Sequence, residues 1–181
     1  MLTRAEYTAA QSRTASLIRE TGISITDKEL EKVEVADFGL SRLDTEGAQI
    51  LTLVATDRIA VKIIVLFPNQ TLPEHWHPRV GEDPGKEETV RVISGTVMFY
   101  VPGDESISEG FLPDEKEDVY TVRHELILKP GEQITLEPGK KHWFQAGKES
   151  AVMYSFSTVA RDVLDCFTDP NIDRVTHIKE A

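Results

Sequence analysis

The chain has a single cysteine, Cys166, among 181 residues, so no intrachain disulfide can form. Disulfides belong to oxidising compartments, and their exclusion sets a reducing, cytoplasmic setting as the expectation. Basic residues are also in short supply. Lys and Arg number 20 against 31 Asp and Glu, a net charge of −11. Phosphate backbones are bound by concentrated cations, so nucleic acid is excluded as the expected partner. Long apolar runs are missing as well. The most hydrophobic stretch, Ile59 to Phe67, is too short to span a bilayer and contains Lys62. The opening residues to Glu20 are polar and charged, so neither a secretory segment nor a membrane partner is expected. Internal repeats and an evident linker are absent too. What remains is an ordinary globular mixture, 40% hydrophobic and 28% charged, long enough to bury the core of one domain.

Two start signals open the chain. Thr3-Arg-Ala-Glu6 and Thr26-Asp-Lys-Glu29 have the form of capping boxes, predicting a helix to about residue 20, closed by Gly22, and a short one reaching toward Val33. Residues 1–40 thus read as a helical leader. Asp37-Phe-Gly-Leu40 is expected to turn into the first strand, and residues 41–181 to form a barrel with an irregular tail, the whole a single domain. From Ala48 onward the pattern is short Val-, Ile- and Leu-rich runs separated by Gly and Pro turns, which predicts an antiparallel sandwich or barrel. Tyr120 to Leu128 alternates and predicts a strand with His124 on the same face as Leu126. Lys62 lies inside an otherwise apolar run. A lysine there is costly unless it meets a carboxylate, a ligand or water, or snorkels to a rim.

The chemistry concentrates between Pro73 and Gly95. His75 and His77 are two apart, so an extended strand points both to one face. Glu88 follows a charged loop and opens a new strand, and His142 comes later in Pro138-Gly-Lys-Lys-His142-Trp-Phe. Three imidazoles and a carboxylate can hold one divalent ion with positions left open, and Mn, Fe, Ni, Co or Zn would accept such ligands.

These residues resemble the two motifs of the cupin family: His75, His77, Glu88 and Gly95, then Gly131, Pro138, Gly139 and His142. The resemblance implies an all-β jelly-roll barrel behind short N-terminal helices. A narrower resemblance runs from about residue 20 to 172. Asp37-Phe-Gly-Leu, Gly85-Lys-Glu-Glu-Thr, Lys141-His-Trp-Phe-Gln-Ala-Gly and Phe167-Thr-Asp-Pro are similar to segments of the D-lyxose isomerase family. It implies a Mn2+-dependent aldose–ketose isomerase and a homodimer, acting on D-lyxose/D-xylulose and D-mannose/D-fructose through a metal-bound cis-enediolate. The expected metal ligands are then His75, His77, Glu88 and His142. Lys86, two residues before Glu88, would share its face and, near a metal, is expected to have a lowered pKa suited to acid–base work; Glu88 is the other candidate base. Lys62, His124, Phe144 and Asp169 are the candidate sugar-binding residues, with Trp76 and Trp143 as weaker stacking candidates. One departure stands out: Ser155 occupies a strand position where relatives often carry glutamate. The alternatives are a metal-dependent dioxygenase, a sugar-binding cupin without turnover, and a cupin-type phosphoglucose isomerase, which would need a phosphate clamp that the motif strands do not supply.

Overall fold

A computed structural model describes residues 1–179. The first helix, α1 (Arg4–Glu20), is capped as its sequence predicts: the Thr3 hydroxyl accepts from the Glu6 amide while the Glu6 carboxylate accepts from the Thr3 amide. The second box does the same for α2 (Asp27–Leu30), which stops short of Val33. β1 (Leu2–Thr3) precedes α1, and β2 (Glu34–Ala36) follows α2. β2 lies ahead of Asp37-Phe-Gly-Leu40 and is already a sheet strand, so the first barrel strand starts earlier than the turn suggests.

The barrel strands are β3 (Ala48–Ala55), β4 (Ile59–Leu66), β5 (Thr71–Trp76), β6 (Glu88–Ser94), β7 (Val97–Val101), β8 (His124–Leu128), β9 (Gln133–Leu136), β10 (His142–Ala146), β11 (Ala151–Thr158) and β12 (Cys166–Phe167). A last strand, β13 (Ile178–Lys179), pairs with β1. Six strands form one antiparallel sheet, in the order β2-β3-β4-β11-β6-β9, and five form the other, β12-β5-β10-β7-β8. Among the described residues the fold is an all-β cupin jelly roll with two α-helices. Gly95 turns β6 into β7 at φ 79°, and a side chain there would strike the Ser150 carbonyl.

Three apolar layers follow from strand alternation. Ile64, Leu66, Val90 and Val92 meet Val97, Phe99 and Phe144 between the sheets. On the outer face of the six-stranded sheet, Ala10 and Ile18 of α1 pack over Leu51, Ile63 and Val65. On the outer face of the other sheet, the long 102–123 connection brings Tyr120 against Met98, Tyr100 and Trp143. Trp143 is therefore core: its ring stacks on Tyr100 and its N–H donates to the Val122 carbonyl at 2.7 Å. The predicted 120–128 strand is shorter, because Tyr120 to Arg123 turn away to cover this outer face and only His124–Leu128 join the sheet.

Candidate active site

The inner face of the barrel gathers the predicted chemistry at one end. His75 on β5 sits directly opposite His142 on β10 in the antiparallel register, and His77 lies one step past the end of β5. The three imidazoles bring their ligand atoms within 4.8 Å of one another, and all three are buried. Each ring is fixed from behind. His75 Nδ1 contacts the Pro73 carbonyl at 2.8 Å, and His142 Nδ1 contacts the Lys140 carbonyl at 2.8 Å. A carbonyl can only accept, so both Nδ1 atoms carry the proton and both Nε2 atoms present a lone pair. His77 Nδ1 is held by Asp165 Oδ1 at 2.8 Å. Among the described residues, His142 Nε2 is buried with no hydrogen-bond partner. An orphaned lone pair in a dry interior is costly, and imidazoles braced in this way are the usual arrangement of metal-binding histidines. The donor set therefore fits a divalent ion.

Electrostatics point the same way. Burial, with the neighbouring His142 and His77, holds the His75 pKa well below its ordinary value, and His142 is pushed down to about 4 by burial and by His77. Both rings are neutral near pH 7, the state that ligation requires. His77 differs. Burial opposes its charge, but the Asp165 and Glu88 carboxylates outweigh it and raise its pKa.

Glu88, at the start of β6, adjoins the histidines through a 3.0 Å contact between its Oε2 and His77 Nε2. Its other oxygen accepts from the Ser155 hydroxyl, so the residue at the departing position serves Glu88 directly. Burial would raise the Glu88 pKa, yet Lys86, 3.3 Å away, and His77 hold it well below the carboxylate range. Lys86 is buried rather than solvated. Its pKa is raised, contrary to the sequence-based expectation: burial works against the charge, but the Glu88, Asp165 and Asp162 carboxylates prevail. Lys62 does not reach a rim. It is 5% exposed, points into the barrel opposite Ser155, and pairs with Asp162.

A cavity of about 40 Å3 lies against this cluster, lined by Lys62, Lys86, Glu88, His75 and Phe144. Phe144 stacks on Phe99, which stacks in turn on His142. His124 and Asp169 do not line it. His124 sits at the end of the edge strand β8, where its Nδ1 meets the Asp104 carbonyl at 3.1 Å. Asp169 is engaged by Lys116 and by the Asn171 amide at 2.8 Å, tying the tail to the 102–123 connection. Trp76 lies under the Lys141 ammonium, 5.2 Å from its ring centre, and is not among the cavity's lining residues. The cavity wall also includes Phe38, Asp162, Asp165, Phe167 and Arg174, which sequence patterning missed. All but Phe38 come from the segment after β11, whose irregular backbone gives no period to read; β12 pairs with β5 and draws that segment over the histidines.

A family profile described as D-lyxose isomerase matches residues 5–181. A D-lyxose ketol-isomerase from Cohnella laeviribosi is 50% identical over 175 residues, covering 96% of each chain. A D-lyxose/D-mannose isomerase from Thermosediminibacter oceani is 45% identical, covering 99% of this chain and 100% of its own. Among solved structures, an L-ribose isomerase from Acinetobacter sp. DL28 superposes with a TM-score of 0.82 at 16% identity, over 98% of both chains, a likeness of fold alone. Near-complete coverage at half identity leaves one conclusion: the chain belongs to the D-lyxose isomerase family.

Proposed function

We propose that this chain is a metal-dependent aldose–ketose isomerase that interconverts D-lyxose with D-xylulose and D-mannose with D-fructose. Its relatives named D-lyxose ketol-isomerase and D-lyxose/D-mannose isomerase support the substrates. The observation that carries the metal is the convergence of three braced imidazoles with an orphaned Nε2 on His142. His75, His77 and His142 would hold the ion, with Glu88 as the adjoining carboxylate. Mn2+ is the proposed metal, though Co2+, Ni2+, Fe2+ and Zn2+ suit the same donors. Such an ion supplies Lewis acidity toward the oxygens of an open-chain sugar.

The remaining steps fall to the chain. Isomerisation moves one proton between C2 and C1 and another between the two oxygens, through a cis-enediolate. Glu88, held anionic, is the proposed carrier between the carbons. Lys86, held as an ammonium, is the proposed donor to the oxygens. Lys62 and Phe144, which line the cavity, would bind the sugar. Cys166, a free thiol, suits a reducing cytoplasm, and a homodimer is part of the same reading, to be checked by light scattering.

The test is isomerisation in D2O by the Mn2+-loaded protein, with deuterium at C1 of the ketose read by NMR. Incorporation supports proton transfer. Turnover and exchange unchanged in Lys86→Ala would remove Lys86 from the proton path and leave Glu88 or another residue to carry it.

A further inference from the structure

The turn Asp162-Val-Leu-Asp165 is built inside out. Val163 is 75% exposed and Leu164 45% exposed, whereas the Asp162 and Asp165 side chains are only 25% and 12% exposed. A turn serving structure alone would bury its apolar pair and hydrate its carboxylates. Asp165 has its partner in His77. Asp162 reaches past it into the cavity, where it contacts the Lys62 ammonium, approaches Lys86 at 3.7 Å and lies 4.0 Å from Arg174. Arg174 is itself anchored to Glu34 on β2, with one contact at 3.3 Å. A continuous polar chain thus leads from His77 through Glu88 and Lys86 to Asp162.

We propose that Asp162 is a substrate-binding residue, accepting hydrogen bonds from the sugar hydroxyls beyond the two reacting carbons and so helping to set which aldose is taken. The inference rests on the isomerase reading above and adds a residue to its site. Two further observations support it. Asp162 lines the cavity beside the histidines and faces both cavity lysines there. A carboxylate is also a natural acceptor for sugar hydroxyls, and Asp162 meets side-chain cations, whereas Glu88 and Asp165 are bonded to His77. The competing role is that of a counter-ion for Lys62.

Binding of D-arabinitol, the alditol of D-lyxose and one of the two that D-xylulose gives on reduction, separates the two roles. It has the hydroxyls and no carbonyl, so titration calorimetry on the Mn2+-loaded protein reads recognition without turnover. Asp162→Asn should weaken arabinitol by about tenfold or more, the cost of losing hydrogen bonds to a charged acceptor. Its metal content should stay at the wild-type level, and the D-lyxose to D-mannose ratio of kcat/KM should change. If Asp162→Asn does not fold, Asp162→Glu keeps the charge for Lys62 and must still weaken arabinitol severalfold. Equal affinity in wild type and variant, or no arabinitol binding by the wild type, overturns the proposal. A wild type that isomerises no aldose sinks the functional reading instead, and the arabinitol comparison then decides on Asp162 alone.

Discussion

At the scale of single residues, the histidines were legible because their chemistry is rare and their spacing periodic. An i, i+2 pair on a strand declares its shared face, and the register of β5 against β10 brings His142 opposite His75. Their supports were not legible. Asp165 stands in an irregular segment 88 residues from His77 in sequence, and nothing local announces the pairing. Lys86 shows the same limit in charge: its neighbours in sequence suggest a metal's influence, while its neighbours in space are three carboxylates. A graded outcome is expected on substitution. Asp165→Asn should lower metal affinity by roughly 10–100-fold, as loss of an outer partner does, and His75→Ala, His77→Ala or His142→Ala should lower it further, with activity falling in parallel. Metal analysis of the purified variants checks this. Full occupancy with full activity in any one histidine variant removes that residue from the site.

At the scale of elements, the capping boxes fixed helix starts to the residue, while strand extents depended on what lay outside them. The outer layers decide both cases. Thr3 begins a helix whose buried stripe covers Leu51 and Ile63, so its cap supports tertiary packing as well as α1. Thr3→Ala should cost about 1 kcal/mol and lower Tm by roughly 2–4 °C for a domain of this size, read by thermal melting; an unchanged Tm would mean the cap is dispensable. The 102–123 connection, by contrast, is held from the side of the sheet. It is clasped by Glu125 on β8, whose carboxylate accepts from the amides of Ser108, Glu109 and Gly110 and from the Tyr100 hydroxyl. Partial burial opposes ionisation, but these donors lower the Glu125 pKa to about 2. The folded value lies below the unfolded one of about 4.3, so the clasp is fully present above that pH and is lost as pH falls toward the folded value. Amide exchange at 108–110, corrected for its intrinsic pH dependence, should accelerate over that interval, and Glu125→Gln should be fast throughout. Protection that stays constant to the bottom of the interval would assign the loop's order to other contacts.

For the whole molecule, the helical leader and the tail close the barrel on itself. The leader lies on its own outer sheet, which explains it without a partner subunit, and β13 returns to pair with β1. The three histidines proposed to hold the ion belong to this closure. They come from β5, the residue just past it, and β10, neighbours in the five-stranded sheet that are more than sixty residues apart in sequence. An unfolded chain cannot present the three together, so an ion held by them would bind the native state in preference and stabilise it by mass action. At a free Mn2+ concentration about 100 times its Kd, the gain is about 2.7 kcal/mol, or roughly 5–10 °C in Tm for a protein of this length. Chelation should reverse the shift. His142→Ala should abolish it, since that change removes the fully buried, unpartnered imidazole nitrogen. Asp162→Asn should leave it in place, because Asp162 contacts the lysines and none of the three histidines. Scanning calorimetry of the three proteins, with and without Mn2+, decides the matter: a Tm that ignores the ion in the wild type would mean that the braced imidazoles do not hold it, whereas a shift surviving in His142→Ala would place the ion elsewhere.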